Sequence, residues 1–296
     1  MAISAGQVKE LRERTGLGMM ECKNALVECD GNMDKAVELL RKRVGVKVEK
    51  KAGRIAAEGR VSAHVSGDRK LAAIVEVNCE TDFVAKENGF VSFVDAVAAC
   101  VVKHDPADVD ALSALPLEDG KADTVAQVCE GLVARLGEKI NVRRFVHYEG
   151  KGAHLDAYVH PGSRIGVLVE MKGGNNALAH DIAMQIAATR PEYISRDDVP
   201  EDVAAKEREI FMEQARASGK PPEIAEKMVA GRLNKYLNEL TLLGKPFVKD
   251  PDTSVEKLLK LADARIARFC RYEVGEGIEK KVGDFAAEVM AQAKGG

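Results

Sequence analysis

Apolar side chains recur with helical spacing in the first 45 residues. Val8 and Leu11 follow Ser4 and Gln7, which are spaced as a capping box, and the pattern predicts a helix that stops at the glycines of RTGLG. A second helix is expected over Met19–Glu28, and after Asp-Gly-Asn a third is marked by residues at i, i+3, i+4 and i+7: Met33, Ala36, Val37 and Leu40. Three short helices predict a small head module.

A basic stretch follows the head. RKRVGVKVEKKAGR, at 41–54, carries seven basic residues and one acidic residue. We interpret it as a linker, and two roles fit its composition: a solvated tether, or a contact with an acidic or phosphate surface.

The middle of the chain changes to the alternation of strands. Val61, Ala63 and Val65 alternate, SGDR forms a turn, and LAAIVEV returns, which predicts a β-hairpin. Two helices are then expected on the apolar positions Phe90, Phe93, Val94, Val97 and Val101, and Val125, Val128, Leu132 and Leu136. A strand through NVRRFVHYEG completes this part of the chain.

The same order of elements then repeats. An offset of 94 aligns Ala63 with Ala157, Val65 with Val159 and Glu76 with Glu170, and a second hairpin turns at HPGS. RFVHYE at 144–149 also matches RFCRYE at 268–273. The repeat predicts two related α+β subdomains, each with a three-stranded antiparallel sheet covered by helices.

An insertion at about 191–241 interrupts the second copy. Its two helices, expected at 203–217 and 222–240, flank SGKPP and should form an antiparallel hairpin. The hairpin has a narrow apolar stripe, which could pack the two helices together or contact a partner. The stripe consists of Val203, Ile210, Phe211, Ile224, Met228, Leu237 and Leu240. A last amphipathic helix is expected on Val282, Phe285, Ala286 and Val289.

The composition of the chain argues against several classes of function. The net charge is -3, and the chain has 4% aromatic residues and no Trp, so we expect no direct nucleic-acid binding. The longest apolar run, at 96–102, is too short for a membrane span, and the start of the chain does not resemble a signal peptide. Six cysteines without a CxxC pair indicate reduced core residues in a cytoplasmic protein.

Motifs of catalysis are not found. The sequence has no P-loop, no complete dinucleotide fingerprint, no HExxH and no GxSxG, and His160 in HPGS fits a surface turn. We therefore expect no catalytic residues, no metal and no cofactor. Two other functions stay open: an RNA-associated scaffold that uses the basic stretch and the hairpin, and an enzyme with an unrecognised site.

The stretch NCETDFVAKENGF, at 78–90, raises a question of its own. By spacing alone, Thr81 caps a helical turn, Asp82 complements the helix dipole, and Phe83 packs inward. The alternative is that Asp82 and Phe83 project toward a partner.

The stretch TDFVAKE, at 81–87, resembles the bacterial translation elongation factor Ts family. Further matches in the same order are LRERTGLGMMECKNAL at 11–26, RIGVLV at 164–169, EIAEKMVAGR at 223–232, PFV at 246–248 and YEVGEGIEK at 272–280. The resemblance implies a guanine nucleotide exchange factor for elongation factor Tu, with GDP and GTP bound by that partner only. It also implies an α+β fold with a UBA-like head, two core subdomains, a coiled-coil arm and a C-terminal module.

The same resemblance implies which residues meet the partner. Asp82 and Phe83 would reach toward its magnesium site, on a loop shaped by Thr81 and Val84. The other implied contacts are Arg12, Met19, Met20 and the region of His160. From the sequence alone, Met19 and Met20 fit core positions equally well. Two departures from the family pattern, Lys245 before PFV and Pro161 beside His160, affect the second subdomain.

We expect five segments. They are a three-helix head with its basic linker at 1–55, a first core subdomain at 56–150, a second at 151–190 and 242–276, the inserted hairpin at 191–241 and a C-terminal module at 277–296.

Overall fold

The computed structural model describes residues 3–219 and 221–279. Its helices are α1 Ala5–Thr15, α2 Met19–Glu28, α3 Met33–Lys51, α4 Asp82–Ala85, α5 Asn88–His104, α6 Val109–Ala114, α7 Val125–Leu136, α8 Asn176–Thr189, α9 Glu201–Ala217, α10 Pro222–Leu240 and α11 Val255–Leu261. Its strands are β1 Glu58–Val65, β2 Leu71–Cys79, β3 Asn141–Glu149, β4 His154–Val159, β5 Ile165–Lys172, β6 Pro246–Phe247, β7 Asp250–Ser254 and β8 Arg265–Glu273. A short 3-10 helix spans Arg196–Asp198.

Helices α1 to α3 pack around a core of their own, which we call the head. The capping box at the start of α1 is confirmed, because Ser4 and Gln7 each bond the other's backbone N–H. Gly16 ends the helix in the left-handed conformation, at φ 67°. The buried side chains of the head are Val8, Leu11, Leu17, Cys22, Ala25, Leu26, Ala36 and Leu40.

The basic stretch is mostly helix rather than linker. Helix α3 runs from Met33 to Lys51, so the predicted linker is wrong over 41–51. Its Lys, Arg and Glu side chains favour a helix, and the single Gly45 is tolerated inside it. Val44 packs against the head and Val48 against the first core sheet with its helices. One continuous helix therefore joins the head to the rest of the molecule.

Acidic neighbours pair with much of this basic stretch. Arg43 forms an ion pair with Glu28 and Lys47 with Glu21, both on α2. Three further pairs are Lys42 with Glu38, Arg41 with Asp123 and Arg54 with Glu80. These pairs disfavour the interpretation as a free phosphate-binding surface.

The first sheet has the order β1-β2-β3 and is antiparallel throughout. Its central strand is buried on both faces. One face, with Ala73, Val75, Val77 and Cys79, packs on the helices α4, α5 and α7. The opposite face contributes Ala72 and Ile74 to a cluster shared with the second sheet.

The second sheet has the order β4-β5-β8 and is also antiparallel. Helix α8 packs on it, and the core that results includes Val167, Val169, Ile182 and Ile186. The small ribbon β6-β7 and helix α11 follow the insertion in the chain. They add Phe247, Val255 and Leu259 to the same core.

The registers of the two sheets agree with the offset of 94 found in the sequence. Glu76 lies opposite Arg144 and Glu170 lies opposite Arg268, and the register shifts directly after each glutamate. The two glutamates are 94 residues apart, as in the sequence alignment. The duplication therefore extends to the same irregularity at the same place in each sheet.

The two sheets pack face to face. Their shared cluster joins Val61, Ala72, Ile74 and Tyr148 of the first sheet to Leu155, Leu168, Tyr272 and Val274 of the second. Gly166 allows the close approach, because a Cβ atom there would lie 2.4 Å from Cγ1 of Val61. Backbone bonds also cross the boundary, from the N–H of Val61 to Ser163 O at 2.8 Å.

Helices α9 and α10 form the predicted antiparallel hairpin, which we call the arm. The apolar stripe assigned from the sequence is wrong in part: the arm buries Ala215, Val229 and Leu233, whereas Ile210 and Ile224 are exposed. Phe211 does contribute, through an edge-to-face contact with Tyr236. A groove of about 730 Å3 runs between the two helices and includes Met212, Ala225 and Val229.

Residues 280–296, with the helix expected on Val282 to Val289, lie outside the described residues. All six cysteines lie inside them and are free thiols. Within 3–219 and 221–279, no helix combines the length and apolar character needed to cross a membrane.

Candidate functional site

Residues 80–86 form a short turn that displays an aromatic ring. The Thr81 side chain accepts a hydrogen bond from the Val84 N–H at 3.4 Å, so the predicted cap is confirmed. Val84 and Ala85 are buried in the core beneath. Phe83 is 81% exposed, and the expectation that it packs inward is wrong. In a one-turn helix whose next two residues face the core, Phe83 points away from it.

Glu138 braces the base of this turn. Its Oε2 accepts from the backbone N–H groups of Glu80 and Thr81, at 3.1 and 3.0 Å, and its Oε1 accepts from Thr81 Oγ1 at 2.6 Å. Glu80 returns the contact, since its Oε1 accepts from the Lys139 N–H at 2.6 Å. Bonds to a charged acceptor are among the stronger ones in proteins. The turn is therefore held in one conformation before any partner arrives.

Cys79 lies under the same turn. Its thiol is 3.1 Å from Thr81 O. Burial, with the nearby charges of Glu138 and Glu58, raises the pKa of Cys79 to about 12. The thiol is thus a protonated core group that supports the turn.

Asp82 is exposed beside Phe83 and is ionised at neutral pH. Lys86 Nζ donates to its Oδ2 at 2.6 Å, and this bond is the main reason that the pKa of Asp82 lies below its ordinary value. The charge of Arg164 lowers this pKa further. The turn thus offers a bare aromatic ring next to a fixed negative charge.

Arg164 lies directly before β5 of the second sheet, so residues of both sheets influence the pKa of Asp82. It forms an ion pair with Glu58 at the start of β1. Its carbonyl accepts from the Val274 N–H at 2.8 Å, and Ser163 is bonded to Val61. These contacts hold the β4–β5 turn against the first sheet, on the side where the Phe83 turn lies.

His160 begins that β4–β5 turn and is exposed. Its N–H donates to Ile165 O at 2.9 Å and its carbonyl accepts from the Ser163 N–H at 2.8 Å. Pro161 and Gly162 occupy the central positions, with Gly162 at φ 89°. The sequence expectation of a surface turn at His160 agrees with this placement.

The remaining expected contact residues lie on the head. Arg12 is exposed on α1, and Met19 and Met20 begin α2 after the glycine N-cap. Both methionines are exposed, at 56% and 64%, so a core position is wrong for each of them. The candidate residues thus fall on the head, the Phe83 turn and the β4–β5 turn, rather than in one pocket.

The two departures from the family pattern have structural roles. Lys245 Nζ donates to Glu239 O near the end of α10. Its carbonyl accepts from the Val255 N–H at 3.0 Å. Lys245 thereby ties the base of the arm to α11, while Pro161 lies in the β4–β5 turn.

Sequence reasoning missed Glu138 and Arg164. Arg164 is the first residue of RIGVLV, one of the stretches that resemble the family. The resemblance did not assign a role to this arginine. Glu138 has no sequence signal beyond its place after the helix stop at Gly137, because its partner Thr81 is 57 residues away. Among residues 3–219 and 221–279, no three His, Cys, Asp or Glu side chains are grouped to hold a metal ion.

Known proteins resemble this chain over its whole length. Residues 80–276 match the family model described as "Elongation factor TS". The "Elongation factor Ts" of Alkalilimnicola ehrlichii is 57% identical over 295 residues, which is 100% of both chains. Those of Thioalkalivibrio sulfidiphilus and Methylococcus capsulatus are 56% and 55% identical, over 100% and 99% of both chains. The protein belongs to the elongation factor Ts family.

Proposed function

We propose that this protein is a guanine nucleotide exchange factor that binds elongation factor Tu and promotes GDP release, in support of translation elongation. Family membership carries the class of function. The observation that carries the site is the 81% exposure of Phe83 on a turn braced by Glu138. A large apolar ring held out in solvent costs hydration free energy unless a partner covers it.

Release of GDP follows from what holds it. A GTPase binds GDP through a magnesium ion and through backbone donors around the phosphates. Phe83 supplies rigid bulk that enters a pocket between helices of the partner, and the displacement moves the magnesium ligands. Asp82 adds a negative charge that repels the anionic groups there. No bond is made or broken in this chain, which therefore acts by binding and not as an enzyme.

The free energies require more than one contact. An acceleration of about ten-thousand-fold corresponds to ~5.5 kcal/mol, whereas burial of one Phe side chain contributes roughly 1.5–3 kcal/mol. Arg12, Met19, Met20 and His160 are the residues that we assign to the rest of the interface. The two ligands of elongation factor Tu are thermodynamically linked. If this protein weakens the binding of GDP to elongation factor Tu by a given factor, GDP weakens the binding of this protein by the same factor.

The division of the chain is also proposed. Separate buried clusters support a head that is UBA-like, two core subdomains and an inserted arm, with boundaries near residues 55, 150, 191 and 242. A C-terminal module would follow from residue 277. Translation elongation places the protein in the cytoplasm.

Release of a fluorescent GDP from elongation factor Tu tests the function. The unmodified protein should accelerate release, and Phe83→Ala should lower the acceleration at least tenfold, because a central apolar anchor contributes several kcal/mol. Asp82→Ala should lower it less.

Leu261→Ala is the matched control, since Leu261 is another apolar side chain that is 77% exposed, at the end of α11. It should leave release unchanged. Equal losses in Phe83→Ala and Leu261→Ala would remove the special role of the turn. No acceleration by the unmodified protein would refute the proposed function.

A further inference from the structure

The side chains of Tyr158, in β4, and His160, directly after the end of β4, lie next to each other. Side chains two apart on a strand share a face. The Tyr158 hydroxyl is 2.9 Å from Nδ1 of His160, and the two ring centres are 5.9 Å apart. This contact joins a partly buried tyrosine to an exposed histidine at the start of the β4–β5 turn.

We propose that Tyr158 is a positioning residue that fixes the His160 ring with its Nε2–H as the hydrogen-bond donor offered to the partner. The phenol of Tyr158 carries an O–H group that can donate to a ring nitrogen. Its O–H donates to the unprotonated Nδ1 of a neutral imidazole, which leaves the proton on Nε2. If the imidazole is protonated, Nε2 still carries a proton. Nε2 is thus a donor in either state.

The tyrosine is itself held in place. Its ring packs against the core of the second sheet. His180 of α8 meets the ring edge-on, with centres 5.7 Å apart and planes at 82°. Nδ1 of His180 is 3.7 Å from Oδ2 of Asp156, which pairs with Arg69 at 3.2 Å. The Tyr158 hydroxyl is therefore presented to His160 from a fixed ring.

The backbone of His160 is fixed as well. It bonds Ile165 and Ser163 within the turn, and Ser163 in turn bonds Val61 of the first sheet. Rotation of the imidazole is the main freedom that remains, and the bond from Tyr158 removes it. Within the described residues, Nε2 of His160 has no hydrogen-bond partner in the free protein.

This arrangement specifies the chemistry of the partner's surface. The group that faces His160 must be an acceptor, namely a backbone carbonyl or a carboxylate. A donor such as a lysine ammonium could not form a hydrogen bond there, because it would face the N–H group at Nε2. The inference deepens the proposed function and rests on it for the identity of the partner, whereas the orientation of the ring is a property of the free protein.

The ring nitrogens are measured first, by 15N NMR of the free protein. In the unmodified protein at pH 8, the His160 signals should show a protonated Nε2 and an unprotonated Nδ1. Tyr158→Phe keeps the aromatic ring and removes the hydroxyl, so the signals should move toward a mixture of the two tautomers. Tyr193→Phe is the control for loss of a phenol elsewhere and should change nothing. Unchanged signals in Tyr158→Phe would overturn the positioning role.

The exchange assay then tests the donor. Tyr158→Phe should raise the concentration of this protein that gives half-maximal GDP release about three- to tenfold, the range expected for one hydrogen bond. In a His160→Ala background, the same change should have less than a twofold effect. His160→Gln places an N–H2 group near the Nε2 position and should retain more activity than His160→Asn, which mimics Nδ1.

The two proposals fail in different ways. If the unmodified protein does not accelerate GDP release, the proposed function fails, and the NMR measurement still decides the role of Tyr158. If release is accelerated but His160→Ala exchanges normally, the donor role is refuted while the function stands. An equal loss from Tyr158→Phe with and without His160 would also refute it.

Discussion

The guanidinium of Arg268 lies 3.9 Å from the centre of the Tyr148 ring, across the boundary between the two sheets. The reverse contact is made by Arg144, 4.2 Å from the centre of the Tyr272 ring. Each arginine also donates to the carbonyl after the tyrosine it covers, at Glu149 and Glu273. The duplicated strands β3 and β8 therefore exchange the same contacts. These reciprocal contacts tie the two sheets to each other.

Glu76 is at the centre of one half of this exchange, and its loss should destabilise the protein. The carboxylate is fully buried and accepts from Arg143 at 3.0 Å, Arg144 at 2.6 Å and the Gly275 N–H at 2.9 Å. Glu76→Gln removes the carboxylate that pairs with Arg143 and leaves Arg144 with Glu276 as its acidic partner. It should lower the free energy of unfolding by about 2–4 kcal/mol.

Glu170 is the matched control, because it occupies the equivalent register and bonds Arg268 alone at 2.6 Å. Glu170→Gln should cost less than Glu76→Gln. Urea unfolding at pH 7 measures both variants, and equal losses would contradict the central role of Glu76.

The pH dependence of stability should also depend on Glu76. Burial raises the pKa of its carboxyl, but the bonds from Gly275, Arg144 and Asn78 outweigh burial and hold the pKa below its ordinary value. A lowered folded-state pKa means that the carboxylate stabilises the fold above the unfolded-state pKa, about 4.3, and that this contribution is lost as the pH falls through the folded-state pKa.

Unfolding free energies from pH 7 to about pH 3 should therefore fall more steeply for the unmodified protein than for Glu76→Gln below about pH 4.3. Parallel curves for the two proteins would exclude Glu76 as a source of the acid sensitivity.

The sequence predicts the helices α1, α2, α5 and α7, the strands of the two three-stranded sheets and the repeat, because these depend on local periodicity. Strand β1 and helix α5 each bury one long face. The apolar residues of that face recur every second residue in β1 and about every 3.6 residues in α5, and this spacing is visible in the sequence. The repeat was visible because Glu76 and Glu170 occupy matching places in matching strands.

The exposure of individual side chains was not predictable in the same way. Helix α4 has four residues, too few for a periodicity that separates Phe83 from Val84. In the arm, a small residue, Ala215, closes the contact between the helices, and a stripe chosen for large apolar residues overlooks it. The apolar pattern predicts α3 only as far as residue 40, because the residues that follow are mostly charged and also fit a linker. Its acidic partners on α2 become visible only in three dimensions.

Gly166 should be essential to the contact between the sheets. A Cβ atom there would lie 2.4 Å from Val61 Cγ1 and 3.1 Å from Ile74 Cδ1, both in the buried shared cluster. Gly166→Ala should lower the free energy of unfolding by about 1–3 kcal/mol through overpacking.

Gly231 provides the opposite case, because it lies within α10 and an added Cβ meets no atom within 4 Å. Gly231→Ala should raise stability by about 0.5–1 kcal/mol. Thermal unfolding of the two variants should shift in opposite directions, and a shift in the same direction would contradict the packing described here.

Glu138 should control exchange without contacting the partner. Glu138→Ala removes three hydrogen bonds at Glu80 and Thr81 and frees the turn, so the Phe83 ring no longer starts in one place. We expect a loss of about 1–3 kcal/mol in stability. The concentration for half-maximal GDP release should rise as well.

Glu130→Ala, on the exposed face of α7, is the control and should alter neither quantity. The Glu138→Ala protein could be less stable and still accelerate GDP release as well as the unmodified protein at every concentration. That result would show that the turn does not need the hydrogen bonds from Glu138.

Cys79 can report on the same turn by its reactivity. At pH 8, a thiol of ordinary pKa is about one quarter thiolate, whereas a pKa of about 12 leaves only about one thiolate in ten thousand. Iodoacetamide should therefore modify Cys79 very slowly. The partly exposed Cys29 serves as the reference for an accessible thiol, and mass spectrometry of peptides maps both sites.

The turn shields this thiol, because Thr81 O lies 3.1 Å from its sulfur and Glu138 holds Thr81. Glu138→Ala should speed the modification of Cys79 and leave that of Cys29 unchanged. Modification of Cys79 at the rate of Cys29 in the unmodified protein would mean that the turn opens readily. Phe83 would then be delivered by a mobile segment, and part of the binding free energy would go to ordering it.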